Sequence, residues 1–350
     1  MSRILSVTAL VLAVAFVAGC SSGAAKPGGT SDDGRNGRNG GAAGGGGSGT
    51  SGEGPARAGS SDREQRFFRV DTLVTQWDSQ QADGKEDEAK ALASQIADDV
   101  DKGFPDFASA SRGEAGLKAQ YLAVKALAFS RKREATTLLV ARLAQADLDG
   151  DLVSNVLIAL KVREDPATPL PPLVALLRTP SPEIRKFAPL AFANVLLARE
   201  RAGMTLDATT SQQAFSNLVG LVQDHDPFVR LHTAKALGAL RRPEANDLLV
   251  LLLKDDHLRI RLAAAAALER IGDPRSFPKV VELLDASDSD GKVLVRDILV
   301  SYAERLQGAP LSEAQKAELS VSPRAWDRWF SERSNAVKSP AGPASPAKVR

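Results

Sequence analysis

Two nineteen-residue stretches constrain this chain more than anything else in it. Lys125 to Leu143 reads KALAFSRKREATTLLVARL and Lys235 to Leu253 reads KALGALRRPEANDLLVLLL, ten identities without a gap. A shorter step of 31 residues emerges when Val229-Arg230 is laid on Ile260-Arg261: Ala234 then falls on Ala265, Leu237 on Leu268, Leu240 on Ile271 and Pro243 on Pro274. Looser copies follow Ile184-Arg185 and Val295-Arg296, and residues 159–177 repeat the rhythm with Pro166 in the place of Pro243. A unit this small cannot bury its own apolar face, so such units must stack on one another.

Each unit reads as two helices. Val229, Thr233, Ala236, Leu237 and Leu240 form one helical stripe, as do Ile260, Ala264, Ala267, Leu268 and Ile271 one step on. The opposite faces, predicted to be solvated, carry Lys235, Glu269 and Arg270. The small residues from Ala263 to Ala267 favour helix and let neighbours approach closely. Pro243 and Pro274 fall between helices and at the first turn of the next, where a missing N–H costs little. Aromatic residues make up 5% of the chain and no alternating apolar runs are bounded by turns, so strands have little support. The expected fold class is all-α, an α-solenoid of stacked helix pairs.

The pattern D-x-x-V-R-x-x-x-A-x-A-L-G-x-L, followed by a turn and an L-L-x-x-L helix, resembles HEAT repeats. HDPFVRLHTAKALGALRRPEANDLLVLLL is similar to the short HEAT-like repeats of phycobilin lyases. The resemblance extends over about residues 115–307, is strongest from 217 to 285, and departs from the pattern at Pro189, Phe192 and the insert Arg201 to Ser211. It implies a right-handed superhelix with a concave groove, in which Arg230 and Arg261 pair with Asp or Glu of neighbouring turns. Second-helix residues Lys186, His232, Lys235, Arg259 and Arg270 would face solvent and line that groove. Segments 62–114 and 308–337 are expected as helical caps. The first offers Phe67, Phe68, Val70, Leu73, Val74 and Trp77; the second offers Trp326, Trp329 and Phe330 at i, i+3, i+4.

The start of the chain has a different character. Arg3 precedes an uncharged, largely apolar run from Ile4 to Val17, too short for the ~20 residues that cross a bilayer and suited to a secretory signal. Val17-Ala18-Gly19-Cys20 resembles the lipobox of bacterial lipoproteins, and Cys20 is the only cysteine in the chain. The resemblance implies cleavage between Gly19 and Cys20, lipidation of the Cys20 sulfur and, with Ser21 next, the periplasmic face of the outer membrane. Residues 20–61 carry 15 of the 28 glycines and no aromatic or branched aliphatic side chain, the composition of a flexible tether. Residues 338–350 read as a solvated tail.

Lys plus Arg number 45 against 43 Asp plus Glu, leaving no excess to hold a nucleic acid by charge. A single cysteine excludes an internal disulfide and multi-cysteine zinc sites. His225 and His257 occupy equivalent Asp-rich turns without ligand spacing inside one helix. Asp288, Asp290, Gly291 and Asp297 match four calcium-loop positions, but Ala286 stands at the first, and both this stretch and DLDG at 147–150 read as helix-capping turns. No G-x-S-x-G, H-E-x-x-H or P-loop is present. The expectation is a non-enzymatic interaction scaffold without metal, cofactor or small-molecule substrate, anchored to the envelope membrane through Cys20, with a protein or envelope polymer as partner. The alternative is an enzyme or accessory of the bilin-lyase kind.

Overall fold

The computed structural model describes residues 61–145, 149–285 and 287–338. The signal, Cys20 and nearly all of the tether, together with Asp147, Ala286 and the tail from 339, lie outside the described residues. Those described form sixteen α-helices and no strand. The chain opens with α1 (Asp62–Ala82), α2 (Glu86–Lys102) and α3 (Phe104–Ser111). Long and short helices then alternate: α4 (Leu117–Leu127), α5 (Glu134–Leu143), α6 (Gly150–Arg163), α7 (Leu170–Leu176), α8 (Pro182–Arg201) and α9 (Ala208–Val219). The alternation continues with α10 (Pro227–Leu240), α11 (Asn246–Leu252), α12 (Leu258–Ile271), α13 (Phe277–Glu282) and α14 (Ser289–Gln307), and α15 (Glu313–Leu319) and α16 (Pro323–Lys338) close the chain. None of these helices is long and apolar enough to cross a membrane.

Local chemistry sets the boundaries. Ser61 and Glu64 form a capping box at the start of α1, and Ser312 and Gln315 do the same for α15. Asp149, Ser181, Asp226 and Asp288 each accept a backbone N–H at the first turn of a long helix, so the Asp-rich turns act as caps. Four long helices end on a left-handed residue: Glu164, Arg241, Gly272 and Gly308. Pro243 and Pro274 then open short 3-10 turns that lead into α11 and α13, the punctuation read from the repeat.

The even-numbered helices α4 to α14 stack side by side in chain order, and α5, α7, α9, α11 and α13 pack against them as a second layer. One continuous apolar cluster runs from Val70 to Trp329, which is how units too small to fold alone share a core. Both ends are sealed by aromatics. Phe67 stacks on Phe107 at 4.5 Å and Trp77 meets Phe129 edge-on at 5.0 Å. At the far end Trp326, Trp329 and Phe330 gather around Phe277 at 5.2 to 6.1 Å. Phe68 is the exception, 76% exposed on α1.

The expectation of a single buried stripe per long helix needs correction. Leu231, His232 and Ala234 of α10, and Leu262, Ala263 and Ala265 of α12, are buried as well as the stripe. α6, α8, α10 and α12 each have a long neighbour on both sides and a short helix packed against them, which leaves only a narrow face outside. Glu269, placed by sequence on a solvated face, is buried and accepts hydrogen bonds from Arg305 Nε and Ser301 Oγ, both at 2.9 Å. Where the repeat pattern falters, α8 runs unbroken through Pro189 and keeps its place between α6 and α10.

Candidate functional site

Two sets of basic side chains occupy the long helices. The first is a ladder. Arg185 Nε donates to Asp224 Oδ2 and Arg230 Nε to Asp255 Oδ2, each at 2.7 Å, while the Nη1 groups of Arg185, Arg230 and Arg261 bond backbone carbonyls of their own preceding turns. Every rung thus ties a long helix to its own cap, and Arg185 and Arg230 also reach the next unit. Burial works against the Asp255 carboxylate, but the hydrogen bonds from Arg230 and from the His257 amide outweigh it and hold its pKa below the ordinary value. The pairing expected for Arg230 is present. Arg261 differs: it holds the Asp255 and Asp256 carbonyls, and its buried Nε has no partner. His225 and His257 stand beside the aspartates of their own turns, Nδ1 at 3.5 Å from Asp224 and 3.3 Å from Asp255. Asp288 bonds the Gly291 amide at 2.8 Å as a cap, and no group of three or more metal-ligating side chains is assembled among the described residues.

The second set lies on the outer face of the long-helix layer. Lys186 of α8, Lys235 of α10 and Arg259 of α12 remain at least partly exposed there. Lys186 Nζ sits 4.3 Å from the centre of the Phe228 ring and 5.9 Å from that of Phe187, a cation against two aromatic faces. Burial pushes the Lys235 ammonium down to about 8, and the charges of Lys161 and Arg259 push the same way. Lys161 of α6 is lowered by burial too, with Glu164 opposing. Lys161 was not singled out from sequence. It lies close to the end of α6, where the copy is loose and no register pointed to the face.

Two residues expected on that face are placed otherwise. His232 is buried, 5% exposed, with Nδ1 2.7 Å from the Lys186 carbonyl. A carbonyl only accepts, so Nδ1 carries the proton. Burial drives the His232 pKa down to about 3 against the pull of that hydrogen bond, and Lys235, Lys161 and Lys186 add to the depression. His232 is therefore a neutral strut between α10 and α8. Arg270 is engaged by Glu200, which also takes Arg241 at 2.8 Å, and it reaches the Gly238 carbonyl at 3.4 Å. It clamps α12 to α8 and is not held out to solvent.

Residues 197–257 and 216–294 match the family model described as HEAT repeats. Residues 197–294 are HEAT repeats. The matched HEAT segment runs from the end of α8 into α14 and includes the 31-residue step. Two engineered proteins of known crystal structure are similar to the chain. One is 20% identical, with 59% of this chain and 99% of its own length aligned at a TM-score of 0.42; the other is 17% identical, with 80% and 87% aligned at 0.43. No curated protein matches.

Proposed function

We propose that this chain is a non-enzymatic interaction scaffold of the bacterial envelope, moored by a lipid on Cys20 and presenting the outer face of its long helices to a protein partner. The observation that carries this reading is the contrast between the two basic sets. The arginine ladder is consumed in holding the stack together, whereas Lys186, Lys235 and Arg259 contribute no ion pair to it among the described residues. Cations that the fold leaves without a carboxylate can accept one from outside. The mooring is supported by the lipobox resemblance and by the glycine-rich stretch behind it, and the non-enzymatic character by the lack of a nucleophile or hydrolase motif in the sequence. Affinity capture from envelope membranes with the full chain tests the reading. Wild type is expected to retain a defined partner that the Lys186→Glu, Lys235→Glu, Arg259→Glu variant loses, and undiminished capture would remove the face from consideration. Cys20→Ala is expected to leave the membrane pellet; a variant that stays would refute the anchor.

A further inference from the structure

The left-handed residues that end four long helices all make the same bond, N–H to the carbonyl four residues back: Glu164 to Leu160, Arg241 to Leu237, Gly272 to Leu268 and Gly308 to Glu304. Glycine adopts that conformation freely, whereas a residue with a side chain resists it. Glu164 and Arg241 nevertheless stand there, at φ of 48° and 53°, and the side chains of both reach α8. Glu164 pairs with Arg201 and Arg241 with Glu200, each at 2.8 Å. Glu200 also takes Arg270 of α12, and Glu269, next to Arg270, takes Arg305 of α14 at 2.9 Å. A line of ion pairs thus follows the C-terminal ends of α6, α8, α10, α12 and α14 along one edge of the stack.

The reach of Glu200 gives this edge a shape. α10 packs between α8 and α12, so Glu200 and Arg270 belong to helices two steps apart, each step roughly 8 to 10 Å. They meet only because the ends of α8 and α12 converge past the end of α10, which puts the face that carries Lys235 on the inner side of a bend. Burial agrees with that bend. Leu231 lies between Phe228 and Lys235 on this face of α10, and Leu262 between Arg259 and Ala266 on this face of α12. Both leucines are nonetheless covered, 7% and 6% exposed. Glu164, Arg201, Glu200 and Arg241 are about half exposed, and ion pairs so exposed add little to overall stability. Their effect falls on shape, where small biases decide between arrangements of similar energy. We infer that the Glu164–Arg201 and Arg241–Glu200–Arg270 pairs form an electrostatic strap that holds the long-helix face closed over Leu231 and Leu262. Releasing the strap splays the helix ends and bares those leucines.

The strap is read as a distance. The full chain with Cys20→Ser takes spin labels at Ala167→Cys and Ala309→Cys, exposed positions just beyond the ends of α6 and α14. Four helix steps separate the two, a span of roughly 40 Å or less. In double electron–electron resonance at about 50 mM salt, Glu200→Gln is expected to lengthen the mean distance by about 3 Å or more, as shifts of about 1 to 2 Å at successive interfaces add. At about 1 M salt, where charges are screened within ~3 Å, the chain with Glu200 should move toward the distance of the variant, and the variant should stay where it is. Arg241→Gly separates a strap from ordinary packing. It should lengthen the distance and leave the urea midpoint equal or higher, because glycine relieves the left-handed cap. An unchanged distance in either variant, an equal response of both chains to salt, or a lengthening in Arg241→Gly accompanied by a lowered midpoint would each overturn the inference. As a gate on partner access the strap rests on the scaffold reading above. Its shape change is measured on the chain alone, so a strap that fails here leaves the capture result standing, and the reverse.

Discussion

At the scale of single residues, the closeness of α10 to α12 rests on Gly238. A methyl group there would lie 2.7 Å from the Ala267 Cβ and 2.8 Å from its Cα. Alanine would gain about 0.5 to 1 kcal/mol of helix preference, but forcing apart a packed pair costs about 1 to 3 kcal/mol. Gly238→Ala is therefore expected to lower the urea midpoint, and a raised midpoint would show that the helices have room. His232 sets a pH dependence. Its folded pKa of about 3 lies below the ordinary histidine value of about 6.5, so the unfolded chain binds the extra proton between these limits. The stability tied to neutral His232 is complete above pH 6.5 and declines as pH falls, by about 1.4 kcal/mol per unit. Urea titrations at pH 7 and pH 5 should differ by about 2 kcal/mol more in wild type than in His232→Leu. Equal differences would mean that the imidazole titrates freely.

At the scale of elements, the arginine ladder and the aromatic seals determine which unit fails first. Arg230 and Asp255 are both largely shielded, at 16% and 7% side-chain exposure, and should show a coupling of about 1 to 3 kcal/mol in a double-mutant cycle of Arg230→Ala with Asp255→Ala. A coupling near zero would make the ladder ornamental. The residue one 31-step beyond Asp255 is Ala286, so the unpartnered Arg261 Nε has no carboxylate in the register that serves Arg230. Trp326 is buried against Phe277, and Trp326→Ala is expected to cost about 3 to 5 kcal/mol, with hydrogen-exchange protection lost first in α13, α14 and α16. Uniform loss along the whole stack would contradict an end-sealing role.

These elements also show how far the sequence could be read. The seal at Trp326, Trp329 and Phe330 was legible because aromatics at helical spacing normally pack. The Arg230 rung was legible only through the resemblance to HEAT repeats, which implies such a pairing. The Arg185–Asp224 rung was not, because its partner lies beyond the insert that breaks the register. The burial of His232 and the engagement of Arg270 were missed for a different reason. A helical wheel separates a core stripe from an outer face, whereas in this stack α10 and α12 are each covered on both flanks, and α8 supplies the Lys186 carbonyl and Glu200 from positions with no counterpart in the 31-residue step.

At the scale of the whole molecule, a continuous apolar cluster with sealed ends gives a chain whose long-helix and short-helix layers present different chemistry. The ladder closes the stack, and the outer cations of the long-helix layer are the ones proposed above to meet a partner. The central claim is that contact is made on that layer. A photo-crosslinking residue placed at Ala266, the 31-step counterpart of Lys235, reports on it directly, with the exposed Lys279 of the short-helix layer as the comparison position. Irradiated on native membranes, the full chain should form a defined adduct from position 266 and none from 279. Adducts from 279 alone, or equally from both, would contradict the account.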